Sequence, residues 1–344
     1  MTTYKDAGVN IKATDSMIKD IASYSKKTSR IGEMTGIGDF AGLFDLKKCG
    51  YNDPILVTST DGVGTKILLG IETKLLEGLG YDLVGMCLND TLCHGADPLF
   101  FLDYYASSKL DRSSFLKVVK SIANACKDNN CLLIGGETAE MPGVYNSKDF
   151  DLAGFCVGAV ERQKLLPQKN EMREGDILIG VSSSGFHSNG YSLIRKVIKD
   201  CKINLNNPTP FESNWKNLGC AIMEPTKQYF SVLKPIINQN IIKGIAHITG
   251  GGLIGNLPRI LPEHLGAKIE YEHLPKLKIF EWFKKISEIP EDEMFKTFNC
   301  GVGLVLVIDE KNYDTFLNLT KKNKNFYKIG RLIKSDQPNY CVIN

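Results

Sequence analysis

A short segment, Ser59–Lys66, combines residue types that hold nucleotide phosphates. It reads Ser-Thr-Asp-Gly-Val-Gly-Thr-Lys, and its two glycines allow positive φ angles and close approach of backbone N–H groups to an anion. Thr65 adds a hydroxyl, Lys66 a positive charge and Asp61 a carboxylate suited to Mg²⁺. The spacing is neither that of a Walker A loop nor that of a dinucleotide-binding Gly-x-Gly-x-x-Gly motif. A hairpin turn with charged flanks is the competing interpretation.

Two more acidic residues lie beside apolar runs. Asp90 follows Asn89 in an apolar stretch, where an uncompensated carboxylate is costly. Glu137 comes directly after the strand predicted at Leu132–Ile134, and sites in α/β sheets gather at such strand ends. Mg²⁺ prefers oxygen ligands, commonly one or two carboxylates with phosphates and water. Together with Asp61, these residues predict a Mg²⁺–nucleotide site rather than a zinc site.

Two polar loops further along the chain suit a phosphate-bearing substrate. Ser182–Gly190 contains His187 and lies between a predicted strand and a helix, a position that favours anions. His247–Gly252 ends in three glycines, whose backbone amides are unobstructed. A histidine in either loop can act as a general base near neutral pH. The plainer interpretation is that Ser188 is a helix N-cap and that His187 is a buried core residue.

Short strands alternating with helices must position these residues, which predicts an α/β fold of the α+β type. The predicted strands are Ile55–Ser59, Leu99–Tyr105, Leu132–Ile134, Leu152–Val160, Ile177–Ser182, Val302–Ile308 and Tyr327–Leu332. The predicted helices are Ser113–Asp128, Ser188–Asp200, Thr226–Ile237 and Leu253–Ile260. A polar stretch, Arg162–Glu174, separates two strand-rich halves, and we expect domains at residues 1–166 and 167–344.

Composition excludes several classes of protein. The chain has 344 residues and a formal net charge of +3, which argues against a dedicated nucleic-acid binder. It contains no apolar run long enough to span a bilayer and no secretory signal at its start, so no membrane association is expected. Its ten cysteines form no Cys-x-x-Cys pair, which favours reduced thiols in a cytoplasmic protein.

The order of these segments resembles the phosphoribosylformylglycinamidine cyclo-ligase family, the aminoimidazole ribonucleotide synthetases. Asp61–Lys66 alone would indicate only the wider superfamily, which includes selenophosphate synthetase and thiamine-monophosphate kinase. Three further runs single out the cyclo-ligases: Phe100–Tyr105 (Phe-Phe-Leu-Asp-Tyr-Tyr), Gly135–Pro142 and His187–Ser192 (His-Ser-Asn-Gly-Tyr-Ser). The resemblance covers nearly the whole chain.

The resemblance implies an N-terminal ATP-binding α/β domain whose strands pair across a homodimer. It also implies a C-terminal α/β domain, with a mixed sheet and helices, that completes the active-site cleft. The implied reaction uses ATP and Mg²⁺ to close the imidazole ring of formylglycinamidine ribonucleotide in de novo purine biosynthesis. Its products are aminoimidazole ribonucleotide, ADP and phosphate. Because an amide oxygen leaves poorly, we expect an imidoyl phosphate intermediate.

This interpretation assigns a role to each candidate residue. Three acids would bind Mg²⁺: Asp61, Asp90 and Glu137. The ATP-binding residues would be Gly62, Val63, Gly64, Thr65, Lys66 and Asn89. The substrate would contact Ser188, Asn189, Thr249, Gly250, Gly251 and Gly252. Either His187 or His247 would be the catalytic base, and the sequence does not choose between them.

Two other functions compete with ring closure. One is a different ATP-dependent enzyme of the same superfamily. A selenophosphate synthetase is disfavoured because it would need a reactive cysteine near the N-terminus, and the earliest cysteine here is Cys49 in a polar context. The other is a non-catalytic nucleotide-binding subunit of a larger assembly. Substrate-dependent ATP hydrolysis separates the enzyme from the subunit.

Overall fold

The computed structural model describes the backbone of residues 11–344 and side chains from Met17 onward. The chain forms two compact units. The first contains the described residues up to Thr91 together with Ala96–Arg162, and the second contains Leu92–Gly95 and Gln163–Asn344. The units therefore divide at the start of the polar stretch Arg162–Glu174.

The described residues form strands and helices in both units. The strands are β1 (Pro54–Gly62), β2 (Asp97–Ser107), β3 (Leu132–Glu140), β4 (Phe150–Glu161), β5 (Ile177–Ser182), β6 (Ile242–His247), β7 (Leu265–Ile269), β8 (Val302–Ile308), β9 (Phe326–Lys334) and β10 (Cys341–Ile343). The helices are α1 (Ile11–Lys26), α2 (Lys66–Thr73), α3 (Leu79–Leu92), α4 (Arg112–Asp128), α5 (Tyr191–Asp200), α6 (Leu218–Ile222), α7 (Phe230–Ile237), α8 (Gly252–Asn256), α9 (Lys278–Ser287), α10 (Glu291–Thr297) and α11 (Tyr313–Thr320).

The N-terminal unit is built on a four-stranded sheet in the order β1-β4-β2-β3. β2 and β3 run parallel, and the other neighbouring pairs are antiparallel. As a result β1, β2 and β3 all run in the same direction, and their last residues lie at the same end of the sheet. Helices cover one face: Phe115 of α4 packs edge-on against Tyr105, 5.1 Å away, and Leu83 and Cys87 of α3 close on Gly154.

The opposite face of this sheet is apolar and open within the described chain. Leu56 of β1 is 57% exposed and Phe155 of β4 is 43% exposed. Phe155 pairs in register with Leu102, so these apolar side chains lie on the same face. A monomer seldom leaves such a patch uncovered, and this face is therefore a candidate for association.

The C-terminal unit contains a six-stranded sheet in the order β10-β7-β9-β5-β8-β6. Its strand β8 is buried along its whole length. Val305 and Val307 pack into one apolar cluster with Leu253 and Phe295, while the alternate residues of β8 pack with α7 and α11 on the other face. This two-faced burial explains why β8 is a continuous apolar run rather than an alternating one.

The α/β fold class predicted from the sequence is confirmed. Each of the seven predicted strands coincides with an observed one, and the structure adds three short strands, β6, β7 and β10. β6 was missed because Lys243 and Gly244 interrupt its apolar pattern. Gly244 is needed there because a Cβ would lie 2.6 Å from the Met172 methyl group. No helix within residues 11–344 is long and apolar enough to cross a bilayer.

Candidate functional sites

The glycine-containing segment joins β1 to α2 in the N-terminal unit. Gly64 is exposed, with φ of +69°, and open space surrounds its α-carbon, so its backbone is accessible. Thr65 precedes the first turn of α2. The Asp61 carboxylate accepts a hydrogen bond from the Gly62 N–H at 2.8 Å. The turn therefore places an exposed glycine and one carboxylate next to each other at the end of β1.

Three residues predicted to bind ATP are instead buried, which corrects the sequence interpretation. The Lys66 side chain has no exposed surface and forms an ion pair with Asp82 of α3 at 2.8 Å. Asn89 is also fully buried, and Val63 is 1% exposed. The sequence suggested phosphate contact because Lys66 adjoins the glycines, but the first turn of α2 directs this residue into the protein. Lys66 therefore has a structural role.

Asp61 and Asp90 are both close enough to the thiol of Cys87 to affect its pKa. The Cys87 thiol contacts the carbonyl oxygens of Gly154 and Asp61, at 3.3 and 4.0 Å. Burial is the main cause that raises the pKa of Cys87, and the negative charges of Asp61 and Asp90 contribute. Two of the three predicted Mg²⁺ ligands, Asp61 and Asp90, thus lie on the side of the sheet that is formed by β1.

Glu137 lies at the opposite edge of the sheet from Asp61. β1 and β3 are the two edge strands, separated by β4 and β2. Three strand spacings correspond to about 14 Å, too far for one ion to contact both carboxylates. Among the residues whose side chains are described, no three His, Cys, Asp or Glu side chains cluster as a metal site. The predicted triad is therefore not assembled within one protomer.

A cavity of about 270 Å³ lies beside β3 on the helix-covered face. Its apolar wall includes Met17, Ile21 and Phe115, and its polar wall includes Gly136 and Glu137. Because glycine has no side chain, this part of β3 provides a flat packing surface and backbone hydrogen-bonding groups beside the apolar wall. This cavity is the strongest candidate for a heterocyclic ligand in the N-terminal unit.

Asp103 lines the same cavity and is 9% exposed. It pairs in register with Gly136, where a Cβ would lie 2.4 Å from the Asp103 Oδ1. Burial raises the pKa of Asp103 to about 7. Position 136 therefore has to be glycine, because a larger residue would collide with the Asp103 carboxyl group. This carboxyl group changes its protonation state near neutral pH.

Replacement of Asp103 by asparagine should remove a pH-dependent loss of stability. Since the folded-state pKa is raised above the unfolded value, the native state binds more protons, and stability is lost as the pH rises through about 7. The loss is at most about 4 kcal/mol between pH 4 and 8. Urea unfolding at several pH values measures it. If the free energy of unfolding changed with pH equally in wild type and in Asp103→Asn, the raised pKa assigned to Asp103 would be wrong.

A second candidate site is formed by the loops that contain His187 and His247. These loops meet at one end of the strands of the C-terminal sheet. β5 and β6 both pair antiparallel with β8, so they are parallel to each other and end on either side of the first residues of β8. β5 leads into the loop that contains His187, and β6 ends at His247. Topology therefore brings together two motifs that are sixty residues apart in the chain.

His187 is fully buried and has a left-handed backbone with φ of +60°, unusual for a residue other than glycine. Its Nε2 accepts a hydrogen bond from the Ser184 N–H at 3.2 Å. The ring lies against Gly303 of β8, where a Cβ would be 2.8 Å from the His187 Cε1. His247 pairs with Leu304, the next residue of β8. Both predicted histidines thus lie beside the start of β8, at Gly303 and Leu304.

The glycine loop is tied to the histidine loop by a direct hydrogen bond. The Gly250 N–H donates to the Asn189 Oδ1 at 3.0 Å. Asn256 braces the loop from the other side, with its Nδ2 donating to the carbonyls of Gly250 and Gly252 at 3.0 and 2.9 Å. Gly252 has φ of +59°, and a Cβ there would lie 1.8 Å from the Phe295 carbonyl oxygen. These contacts define the conformation of the loop.

The remaining predicted substrate contacts belong to the same two loops. Ser188 and Thr249 are half-buried, and Gly251 is exposed. Gly251 also has a positive φ of +96°. The structure therefore gathers the predicted substrate residues into a single group. Ser188 does not cap α5, because Gly190 occupies that position.

Three residues without an assigned role also belong to this site. Lys227 donates to the Ser182 carbonyl oxygen at 3.0 Å, and burial lowers its pKa. Tyr229 donates to the same carbonyl oxygen at 3.0 Å. Asn299 accepts from Ser183 at 2.9 Å and from the Gly301 N–H at 2.9 Å. The lysine and the tyrosine lie in the segment Thr226–Tyr229, which was wrongly predicted as the start of a helix and precedes α7.

Two family models match the chain and together cover most of it. The model "AIR synthase related protein, N-terminal domain" matches residues 38–160, and the model "AIR synthase related protein, C-terminal domain" matches residues 173–340. The first match contains the glycine turn and the second contains both histidine loops. The glycine turn and the histidine loops therefore lie within matched domains, whereas the cavity beside β3 also has wall residues before the first match.

Solved structures with this fold include a thiamine-monophosphate kinase from Stenotrophomonas maltophilia. It has 17% identity and a TM-score of 0.68, with 96% of each chain covered. A hydrogenase maturation protein HypE in complex with ATP has 14% identity and a TM-score of 0.69, covering 96% of this chain and 91% of that one. AaThiL complexed with AMPPCP and TMP has 16% identity and a TM-score of 0.59, covering 100% and 95%. The two matched domains and the shared fold show that the chain belongs to the AIR synthase-related superfamily.

Proposed function

We propose that this protein is an ATP-dependent cyclo-ligase that converts formylglycinamidine ribonucleotide to aminoimidazole ribonucleotide, with release of ADP and phosphate. The observation that carries the proposal is the hydrogen bond between Asn189 and Gly250, which joins the histidine loop to the glycine loop. Such a site suits a phosphorylated, nitrogen-rich substrate. Solved structures of the same fold in complex with ATP or with AMPPCP support nucleotide binding by this chain. The proposed location is the cytoplasm.

The chemistry requires activation of an amide oxygen. Transfer of the γ-phosphoryl group to the formyl oxygen would give an imidoyl phosphate, and the neighbouring amidine nitrogen would then attack the same carbon. Phosphate departs as the ring closes. Holding both ends of the substrate together contributes up to about 7–11 kcal/mol in ideal intramolecular cases. The loops around Asn189 and Gly250 would provide that positioning.

Of the two histidines, we propose His247 as the base that takes the proton from the attacking nitrogen. His187 already accepts the Ser184 N–H through Nε2, and its side chain has no exposed surface. His247 is 5% exposed and lies at the end of β6, next to the glycine loop. His187 would then act as a positioning residue that maintains the loop.

We propose that ATP binds with its base in the cavity beside β3 and its phosphates near the glycine turn and Asp61 of a partner protomer. Mg²⁺ would supply charge neutralisation for phosphoryl transfer. The open apolar face of the N-terminal sheet supports a homodimer. Two such sheets related by a two-fold axis along the strands would place β3 of each next to β1 of the other. Asp61 and Asp90 could then share an ion with Glu137 from the other copy.

Mixing two inactive variants tests this shared site. Asp61→Asn and Glu137→Gln should each reduce ATP turnover by about 100-fold or more, because each removes a ligand of the ion. When the two variants are mixed and allowed to exchange subunits, part of the activity should return, since one site of each mixed dimer is intact. ADP release during a Mg²⁺ titration is the measurement. No recovery despite verified subunit exchange would refute a site shared between protomers.

The overall function is tested by a coupled assay with purified protein, Mg-ATP and formylglycinamidine ribonucleotide labelled with ¹⁸O in the formyl group. Ring formation and ADP release should proceed in equal amounts, and the released phosphate should carry the label. Unlabelled phosphate would exclude the imidoyl phosphate. ATP binding without turnover would favour a nucleotide-binding subunit. ADP formation with thiamine monophosphate, and none with the ribonucleotide, would favour a kinase.

A further inference from the structure

A second cavity of the N-terminal unit, of about 490 Å³, shares no lining residue with the cavity beside β3. Its wall comes from the end of α2, the end of β2, the start of α4 and residues 147–150. The volume is within the range of small-molecule sites. We refer to it as the lysine cavity.

The lysine cavity carries an excess of positive charge. Its charged lining residues are Lys74, Lys109, Lys117, Lys148, Asp111 and Asp149. Among the described residues, Lys74, Lys109 and Lys148 form no ion pair, whereas Lys117 lies 3.1 Å from Glu77. Three cations without a paired carboxylate therefore border one cavity.

Both aspartates of the wall are engaged in local hydrogen bonds. Asp111 caps α4 and accepts from the Ser114 N–H at 2.8 Å, while Asp149 accepts from Asn146 Nδ2 at 2.7 Å. The Ser114 contact lowers the pKa of Asp111. These carboxylates thus accept hydrogen bonds from the backbone and from the adjoining turn. The wall contains four lysines and two aspartates, so the net charge of the cavity is positive.

Ser107 gives an independent indication of a ligand. It lines the cavity at the end of β2 and is 2% exposed. Within the described part of the chain, its hydroxyl has no hydrogen-bond partner although it is buried. An unsatisfied buried hydroxyl is energetically costly, so a bound acceptor at this position would remove a penalty.

The cavity also has an apolar floor. Tyr105 and Phe150 stack with ring centroids 4.9 Å apart and an interplanar angle of 14°. Both line the cavity together with Ile71 and Leu76. A ligand that fits this wall has an anionic group at the lysine side and a carbon skeleton at the floor.

We propose that the lysine cavity binds a phosphate monoester of a small metabolite, with the phosphate held by Lys109, Lys148 and the Ser107 hydroxyl. Lysine is suited to phosphate as a concentrated positive charge, and the serine can donate one hydrogen bond. This site is separate from the residues assigned to ring closure, and the proposal does not depend on that activity.

Residue-resolved lysine acetylation of the full chain, read by mass spectrometry, tests the proposal. Inorganic phosphate and ribose 5-phosphate serve as probes, and uncharged ribose serves as the control ligand. Both phosphates should reduce labelling of Lys74, Lys109 and Lys148 severalfold, with ribose 5-phosphate acting at lower concentration. Lys120, an exposed residue of α4 outside the cavity, should be labelled equally throughout. Because labelling is read at each lysine, phosphate bound at the glycine loops does not affect the result.

Variants separate a binding site from general shielding by salt. Lys109→Gln/Lys148→Gln should weaken protection of Lys74 by at least about tenfold in probe concentration, as expected when charge-assisted hydrogen bonds are lost. Ser107→Ala should weaken it severalfold, and Lys120→Gln should leave it unchanged. Thermal unfolding verifies that each variant is folded. Equal labelling with and without phosphate, equal protection by ribose, or unchanged protection in the folded double variant would each overturn the proposal.

Discussion

Replacing Lys66 by methionine is expected to lower the free energy of unfolding by about 3–5 kcal/mol, because it leaves the Asp82 carboxylate buried without its cation. Both side chains are fully buried, and their charged atoms lie 2.8 Å apart. Water cannot enter to compensate the remaining charge. Urea unfolding at pH 7 measures the effect, and most of it should appear as a shift of the transition midpoint at constant m-value.

Two controls show whether the loss is caused by burial of the charge. The double variant Lys66→Met/Asp82→Leu should recover most of the stability, since a buried ion pair can often be replaced by apolar residues at little cost. Lys296→Met breaks an exposed pair of similar length, 2.9 Å to Asp292, and should hardly change the unfolding midpoint. A folded Lys66→Met variant of wild-type stability that no longer binds ATP would instead restore the phosphate-binding role.

Substitution of His247 by glutamine is expected to reduce the rate of ring closure by about 10²–10⁴-fold, the range for loss of a positioned general base. The affinity for Mg-ATP should be unchanged because His247 is not among the residues proposed to contact the nucleotide. Single-turnover ring formation is the measurement.

His187→Gln gives the matched comparison for the positioning role. Loss of the Ser184 contact and of the left-handed loop conformation should lower stability as well as activity. His264→Gln changes an exposed histidine and should alter neither property. If His187→Gln left stability unchanged and slowed ring closure as much as is expected for His247→Gln, while His247→Gln hardly slowed it, the two assignments would be reversed.

Local sequence patterns were sufficient for much of the fold. β8 was predicted because a strand buried on both faces must be apolar at every position, and α4 because its apolar residues recur at helical spacing. The glycine loops were recognised because positive φ angles and close backbone approach exclude most side chains, as at Gly252. These constraints act within a few residues and therefore leave a signal in the sequence.

The surroundings of each candidate residue were decided by tertiary structure. Lys66 and Glu137 have the residue types expected of a phosphate ligand and a metal ligand, yet the first is paired with a buried acid and the second lies across the sheet from Asp61. Burial and distance depend on which strands become neighbours, and strand order is not encoded in any short segment. For the same reason, Lys227 joined the second site only when β5 and β6 came to flank β8. The sequence by itself determined which residues can do chemistry, and the long-range packing of strands decided which of them meet.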